Sequence, residues 1–273
     1  MTLYDLHIHT FLSDCASGNN ANPVEYVRAA EKNGLCAIGF SDHAWDESIR
    51  GASPWYQKQP FKRLSVVKEL LEETDTRIKI FFGAETEYAG GVLGVGEKAA
   101  QELDYIIVPH SHTHMRGFVL PEGWDSPQKH AEYLLKSFFE LCTHSSRERF
   151  FGIAHPFYPV GASKEAAEHI YSFISDQDMT ECLCAAAENG VFLELNTSTF
   201  SGIELNETED YFYSRFFYNA KRSGNSFFMG SDKHRVIPFG EPDRFMQIGE
   251  LIKKLGLEER DFSAALDYIS TTP

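Results

Sequence analysis

The 273-residue sequence lacks the features that mark membrane, secreted and nucleic-acid-binding proteins. No run approaches the roughly 18 apolar residues of a membrane-spanning helix, and residues 1–10 carry two histidines and an aspartate instead of a signal segment. The five cysteines form no CxxC pair, which is typical of reduced thiols. Basic residues are outnumbered, with 25 Lys and Arg against 40 Asp and Glu, and nucleic-acid binding needs a basic surface. These absences predict a cytoplasmic protein that binds neither a membrane nor nucleic acid.

Two common catalytic motifs are also missing. No GxSxG elbow is present, which disfavours a serine hydrolase. The glycine-rich segment 90–96 lacks the GK[ST] ending of a P-loop, so we predict a flexible loop there.

Short apolar runs alternate along the chain with longer helical patterns. Near-continuous apolar character indicates strands of a parallel sheet that are buried on both faces. The predicted strands span 3–9, 36–41, 77–83, 104–109, 150–154, 191–196 and 226–230. Seven such units in a chain without repeats or linkers predict an α/β protein of one domain over 1–273, a (β/α) barrel somewhat short of the usual eight units, with a doubly wound open sheet as the alternative. We expect the motif-bearing core at 3–240 and C-terminal helices at 241–273.

Helix ends are legible in the sequence. Asn22-Pro23 and Ser126-Pro127 are typical of helix starts, because the first residue caps and the proline fits the first turn. Asn189-Gly190 and Ser223-Gly224 are typical of helix ends.

Every predicted strand ends beside a side chain that can bind metal or form a hydrogen bond. In a parallel barrel these ends meet at one rim, where such enzymes build their active sites. The residues are His7, His9, Asp14, Asp42, His43, Glu85, Glu87, His110, His112, His114, His155, Glu194, Asn196, Asp232 and His234.

The His7-Ile8-His9 alternation directs two imidazoles to one face of a strand, which is a start for a metal site. Asp5, Asp42 and Asn196 are placed to orient ligands through hydrogen bonds. Imidazole and carboxylate without thiolate fit Zn, Mn or Fe. The candidate ligands exceed the needs of one ion, so we predict two or three divalent ions with Glu85 bridging a pair.

These residues fall in motifs that resemble the PHP (polymerase and histidinol phosphatase) superfamily. Its histidinol-phosphate phosphatases are the most similar in wording and length. The motifs are DLHIHT at 5–10, SDHA at 41–44, GAETEY at 83–88, DYIIV at 104–108, IAHP at 153–156, LELNTS at 193–198 and GSDKH at 230–234.

The resemblance implies a distorted (β/α)7 TIM-like barrel with a trinuclear metal centre that hydrolyses phosphoesters through a metal-bridging hydroxide. One ion would take His7, His9, Glu85 and Asp232. A second would share Glu85 and add His155 with a strand-four histidine, His110 or His112. The third would take His43, His234 and a residue from the loop after His9. Glu85, Asp232 and His234 are predicted to be catalytic.

The sequence departs from the histidinol phosphatase pattern at two further points. Asp14 stands near the position of a usual histidine and is predicted to replace it, with Cys15 a bystander. Phe157 follows His155-Pro156 where an aspartate is usual, which predicts an altered substrate pocket. Arg116, Lys233 and Arg235 lie near the proposed ligands and are candidates for phosphate binding.

The leading hypothesis is therefore a phosphomonoesterase that acts on L-histidinol phosphate in histidine biosynthesis. The alternatives are a PHP phosphoesterase for another small phosphate, such as a nucleotide or sugar phosphate, and a metal-binding PHP domain without turnover. The expected partner is a small phosphorylated substrate, and the oligomeric state stays open.

Overall fold

Seven parallel strands form the central sheet of the protein in a computed structural model, which describes residues 1–16, 18, 20–144, 150–199, 212–238 and 241–271. Two further short strands, β4 (Tyr88–Ala89) and β5 (Val92–Leu93), form a separate hairpin. The central sheet has the order β1-β2-β3-β6-β7-β8-β9, and each strand pairs in parallel with its neighbour. Its strands are β1 (Tyr4–Asp5), β2 (Ala37–Phe40), β3 (Lys79–Glu85), β6 (Tyr105–Pro109), β7 (Phe150–Ala154), β8 (Phe192–Asn196) and β9 (Phe227–Gly230).

The sheet closes through the segment after β1. The Leu6 amide donates to the Met229 carbonyl at 2.9 Å, and the Asp232 amide donates to the His7 carbonyl at 2.8 Å. An isolated parallel bridge joins Ile8 to Lys233. The predicted strand at 3–9 is therefore regular only over Tyr4–Asp5, and the rest follows β9 irregularly to complete a nearly closed barrel.

Helices cover the outside of the barrel and end where the sequence indicates. The Asn22 side chain caps α1 (Pro23–Lys32) by accepting from the Val24 amide at 2.9 Å, and Ser126 caps α4 (Pro127–Thr143). The Asn189-Gly190 and Ser223-Gly224 pairs follow α6 (Asp176–Glu188) and α7 (Phe212–Arg222), with Gly190 and Gly224 at positive φ. The other described helices are α2 (Ser65–Leu71), α3 (Glu97–Ala100), α5 (Lys164–Tyr171), α8 (Ile248–Lys254) and α9 (Arg260–Thr271).

The glycine-rich segment after β3 is a hairpin instead of the predicted flexible loop. β4 (Tyr88–Ala89) pairs antiparallel with β5 (Val92–Leu93). Gly90 and Gly91 form the turn with φ values of 60° and 82°, a conformation that glycine adopts without steric penalty.

The fold matches the predicted seven-unit barrel, and the open-sheet alternative is excluded by the closing hydrogen bonds. Among the described residues, no helix is both long and apolar enough to cross a membrane. Because all seven strands run in parallel, their carboxyl ends meet at one rim.

Candidate metal centre

Glu85, at the carboxyl end of β3, is the centre of the candidate site. Its Oε2 atom lies 3.4 Å from His7 Nε2, 3.3 Å from His9 Nε2 and 3.2 Å from His43 Nδ1. Its Oε1 atom lies 3.2 Å from His155 Nε2 and 4.0 Å from His112 Nε2. The carboxylate is almost fully buried, and this one side chain connects five histidines from four segments of the chain.

Asp232 and His234, which follow β9, complete this cluster. Asp232 Oδ1 lies 3.5 Å from His7 Nε2 and 3.2 Å from His9 Nε2. The ring of His234 stacks on that of His9, with centroids 4.4 Å apart. The structure therefore brings both residues of the GSDKH motif to the histidines of the DLHIHT motif.

Five of the six histidine rings share one orientation that suits metal ligands. The Nδ1 atom of each of these five faces a protein oxygen that accepts a hydrogen bond, so the proton lies on Nδ1 and the Nε2 lone pair is directed elsewhere. His43 differs, because its Nδ1 atom faces Glu85 Oε2 and the Tyr56 hydroxyl. The five Nδ1 contacts are His7 to Glu194 at 2.8 Å, His9 to Ser13 at 3.1 Å, His155 to Ser111 at 2.9 Å, His234 to the Asp232 carbonyl at 2.9 Å, and His112 to Glu87.

Asp42 orients His9 through an intermediate hydroxyl. The Ser13 hydroxyl donates to Asp42 Oδ1 at 2.7 Å and faces His9 Nδ1. Asp42 also accepts from the Thr10 amide at 2.7 Å and from the Thr10 hydroxyl at 2.7 Å, which secures the turn after His9. Asp42 thus contacts the turn and Ser13 instead of a histidine ring, and its orienting role stays a prediction.

Glu194 on β8 is a buried carboxylate whose importance the strand pattern alone did not reveal. Besides holding His7, its Oε2 atom accepts from the His155 amide at 2.5 Å and from the Asn196 side-chain amide at 3.0 Å. Asn196 therefore acts on Glu194 and not on a histidine. Gly230 makes this arrangement possible, because a Cβ atom there would overlap the Glu194 carboxylate.

Asp5 acts on the backbone and not on a ring. Its Oδ1 atom accepts from the His7 amide at 3.2 Å and from the Ser231 amide at 3.0 Å, which joins β1 to the segment after β9. Burial raises the pKa of this carboxyl to about 6.

The donor set at the centre fits a cation. His7 Nε2, His9 Nε2, Glu85 Oε2 and Asp232 Oδ1 converge, with the two Nε2 atoms only 3.1 Å apart. With the protons on Nδ1, all four atoms are acceptors, and converging lone pairs repel unless a cation lies among them. Burial alone would lower the pKa of His9, but hydrogen bonds to Asp232 and Glu85 raise it to about 9.

The ligand atoms fall into three groups. Glu85 belongs to the first and second of these groups, and His9 belongs to the first and third. Within each group the atoms lie within 4.8 Å of one another. The groups in the described part of the chain are His7, His9 and Glu85; Glu85, His112 and His155; and His9, Cys15, His43 and His234. Asp14 belongs to none of them: its amide donates to Gln59 Oε1 at 2.8 Å and its side chain is half-buried.

Of the two candidate ligands that follow β6, His112 faces Glu85 and His110 faces away. The Phe157 amide donates to His110 Nε2 at 2.8 Å, and His110 Nδ1 faces the Ser137 hydroxyl at 3.3 Å. Burial lowers the pKa of His110 to about 3, so the ring is neutral among Phe138 and Phe157.

Two of the site residues have left-handed backbone conformations. His155 has a φ of 28° and Asp232 a φ of 55°. Such conformations are strained by about 1–3 kcal/mol in residues with a Cβ and persist where surrounding bonds enforce them. The Glu194 and His7 hydrogen bonds described above hold both residues in place.

A cavity of about 870 Å³ opens onto the ligand cluster. His43, Glu85, His112, Asp232 and His234 form its polar floor, and Cys15, Ser53, Pro54, Trp55, His114, Met115, Arg116, Gly117, Phe118 and Val160 form the remaining wall.

The three basic residues considered for phosphate binding lie in different places. Arg116 lines the cavity, with its guanidinium paired to Asp125. The ammonium group of Lys233 lies 2.7 Å from Asp243 and above the ring of Phe245, outside the cavity wall. Arg235 is exposed and lies 3.7 Å from Glu241.

Phe157, whose sequence position predicts an altered substrate pocket, is not among the residues that line the cavity. Its side chain is fully buried and its ring stacks on Phe138 with centroids 4.9 Å apart. The residue therefore supports the core beneath His110.

A nearly closed parallel barrel with histidines and carboxylates at its rim defines the metallohydrolase class of (β/α) barrels. The family model of the PHP domain matches residues 5–198, and the chain therefore belongs to the PHP family. The predicted resemblance and fold are confirmed.

Curated relatives and solved structures agree with this assignment. Probable phosphatases of Thermoanaerobacter sp. (strain X514) and Acetivibrio thermocellus are each 26% identical, over 263 and 253 residues; these matches cover 93% and 90% of this chain and 87% and 85% of the relatives. The histidinol phosphate phosphatase of Lactococcus lactis subsp. lactis Il1403, crystallised with zinc, L-histidinol and phosphate, has a TM-score of 0.62 at 21% identity, with 93% of this chain and 94% of that chain covered.

A crystal structure from a study of the metal-dependent tyrosine phosphatases YwqE from Bacillus subtilis and CpsB from Streptococcus pneumoniae also matches this chain. The TM-score is 0.50 at 17% identity, with 99% and 96% coverage. The prediction of a phosphoester hydrolase agrees with the family and with the descriptions of the relatives.

Proposed function

We propose that the protein is a metal-dependent phosphomonoesterase that hydrolyses L-histidinol phosphate to L-histidinol and phosphate, as a step of histidine biosynthesis. The observation that carries the metal-dependent part is the shared ring orientation, with five Nδ1 atoms held by protein oxygens around the buried Glu85 carboxylate. His7, His9, His112 and His155 direct their Nε2 atoms toward Glu85, which histidines with a purely structural role have no reason to do.

His7, His9, Glu85 and Asp232 would hold the first ion, and Glu85, His112 and His155 the second. His43 and His234, with His9 close by, would hold a third. When bound, such ions neutralise phosphoryl oxygens and lower the pKa of water toward 7. Glu85 and Asp232 keep their negative charge for this purpose, because neighbouring histidines hold the pKa of the Glu85 carboxyl well below its usual range despite burial.

The protein's own contribution is to fix these side chains and to receive the phosphoryl group. Glu194, Ser13, Ser111 and Glu87 keep the rings in place, which limits reorganisation during the reaction. Arg116 is the basic residue placed to bind phosphate oxygens. Its exposed pair with Asp125 is worth about 0–1 kcal/mol, so an incoming phosphate can replace it.

The wall of the cavity supports a substrate with a flat leaving group. Pro54, Trp55, Met115 and Phe118 present apolar surface beside the ligand cluster. The ring of Trp55 lies edge-on to His43, with centroids 4.9 Å apart. An imidazole ring can pack against such a surface while its phosphate meets the centre.

The same apolar wall keeps a second candidate in view, a PHP phosphoesterase for another small phosphate. A nucleotide would use the wall for its base, whereas a sugar phosphate would leave the apolar surface unmatched. The intact ligand groups speak against a metal-binding domain without turnover.

The test is release of inorganic phosphate from L-histidinol phosphate by purified protein with Mn²⁺, with and without EDTA. Nucleotide and sugar phosphates serve as competitors. We expect turnover that EDTA abolishes, with L-histidinol phosphate having the highest kcat/KM. A higher kcat/KM for another phosphate would show that the proposed substrate is wrong. Turnover that is unaffected by metal removal would refute the proposal.

Two variants connect that turnover to the site. His9→Ala and Asp232→Asn are expected to lower kcat by more than about 100-fold, beyond the usual effect of losing a partner that only orients a ligand. Asparagine is chosen because it tolerates the left-handed backbone of Asp232. Glu188→Gln, at an exposed position on α6, is the control and should leave kcat unchanged.

A further inference from the structure

Cys15 has a position that its sequence context did not indicate. Its thiol lies with ligand atoms of His9, His43 and His234 in a group whose members are all within 4.8 Å of one another. A tetrahedral zinc site with bond lengths near 2.0–2.3 Å separates its ligand atoms by about 3.3–3.8 Å. Because His9 Nε2 is directed to Glu85 and Asp232, the side chains that a small contraction would bring onto one further ion are Cys15, His43 and His234.

The surrounding contacts hold this group together. The ring of His9 stacks on His43 with centroids 4.5 Å apart and on His234 with centroids 4.4 Å apart. The turn that carries Cys15 is closed by the Ala16 amide, which donates to the Ser13 carbonyl at 2.9 Å. Ser13 in turn donates to Asp42, so the turn is anchored to the loop that carries His43.

The neighbouring residue Asp14 is placed differently from Cys15. Cys15 lines the cavity over the metal centre, whereas Asp14 is absent from the cavity wall and from the three ligand groups in the described part of the chain. The turn thus presents the Cys15 thiol to the imidazoles.

We propose that the Cys15 thiolate is the protein's third ligand to the third ion, together with His43 and His234, while His9 Nε2 is directed to the first ion. The inference rests on the proposed metal centre and concerns the composition of one of its sites. On binding, the thiol releases its proton to solvent and its sulfur forms the bond to the metal. A thiolate with imidazoles favours zinc or cobalt over manganese, so the site of the third ion should differ from the other two sites in its metal preference.

Cobalt substitution tests this ligand by a readout that is independent of activity. A cobalt–thiolate bond produces a charge-transfer band in the near ultraviolet, which imidazole and carboxylate ligands do not. We expect the band in the wild-type protein loaded with Co²⁺ and its complete loss in Cys15→Ser, with one metal equivalent fewer by elemental analysis. Because Cys15 is exposed, serine at this position should not disturb folding.

Two matched variants identify the residue. Cys184→Ser removes a partly exposed thiol on α6, outside the three ligand groups, and should keep the band. Asp14→Asn should also keep both the band and the metal content. A wild-type protein that is fully loaded with cobalt but lacks the band would overturn the inference, as would a band that survives in Cys15→Ser or loss of a metal equivalent only in Asp14→Asn.

Alkylation with iodoacetamide provides a second measurement. Zinc should protect Cys15 from modification by at least about tenfold and leave Cys184 unaffected, because only the first thiol would be coordinated. Equal labelling of Cys15 with and without zinc would contradict the inference. Phosphatase activity is measured separately: hydrolysis without a thiolate band would refute this ligand alone, and a thiolate band without hydrolysis would refute the proposed function alone.

Discussion

The histidine rings of the centre depend on hydrogen-bond partners that lie behind them. Glu194 is the most connected of these partners, because it holds the His7 ring, the His155 amide and the Asn196 side chain. Glu194→Gln keeps the shape of the side chain but replaces one acceptor with a donor. Because partners of this kind typically contribute 10–100-fold, we expect metal affinity to fall by about that factor.

Competition with a chelator of known affinity measures this change, and phosphate release measures its effect on turnover. Glu188→Gln, at the exposed end of α6, is the control for the chemical change itself. Unchanged metal affinity in Glu194→Gln would show that the Nδ1 contact does not govern the ligand.

The two histidines that follow β6, His110 and His112, should have different effects when they are substituted. His112→Asn is expected to remove a ligand and to lower the metal content. His110→Asn should retain the metals but reduce the free energy of unfolding by about 1–3 kcal/mol, because the buried Phe157 amide loses its acceptor. Elemental analysis and urea unfolding distinguish the two effects, and metal loss confined to His110→Asn would reverse the assignment.

The strands beneath the centre position it through a close packing of tyrosine and glycine. The Tyr105 hydroxyl on β6 donates to the Leu6 carbonyl at 2.7 Å, across the barrel interior. Gly39 on β2 leaves room for this side chain, since a Cβ atom there would lie 2.5 Å from the Tyr105 hydroxyl and 2.9 Å from Leu6. The absence of a side chain in β2 therefore supports the start of the DLHIHT segment.

Gly39→Ala is expected to reduce the free energy of unfolding by about 1–3 kcal/mol, the usual effect of overpacking a core. Urea unfolding with a constant m value measures the loss. Gly18→Ala is the control, because a Cβ atom at Gly18 meets nothing within 4 Å. Equal stability of the two variants would indicate that the barrel interior can rearrange around the added methyl group.

The stability of the whole molecule should depend on pH through histidines that are buried in the neutral form. His130 on α4 is an example distant in sequence from the proposed ligands, and burial lowers its pKa to about 4. The unfolded chain, with a pKa near 6.5, binds more protons between pH 4 and 6.5. The free energy of unfolding should therefore fall as the pH is lowered through this window, by at most about 1.4 kcal/mol per pH unit for this residue.

His130→Gln removes this contribution and should flatten the dependence between pH 6.5 and 4. Urea unfolding of wild type and variant at several pH values, both in EDTA, isolates the difference from metal binding. Parallel curves for the two proteins would mean that His130 does not titrate differently in the folded and unfolded states.

Several features of the molecule could be predicted from local sequence. Asn22-Pro23 and Ser126-Pro127 begin helices because capping depends on the chemistry of adjacent residues. The strand positions followed from apolar runs, and the placement of His7 and His9 side by side followed from strand alternation. The order of the PHP motifs carried the family assignment.

Other features required the tertiary structure, because they depend on atoms that are distant in sequence. The choice between His110 and His112 depends on the Phe157 amide and on Glu87, which approach them from other loops. The grouping of Cys15 with His43 and His234 depends on which face of a short turn meets those rings. The sequence by itself determined which ligand types reach the rim, since each strand delivers its own residues there. Only the closed barrel decided which atoms converge, because convergence is a property of segments brought together in space.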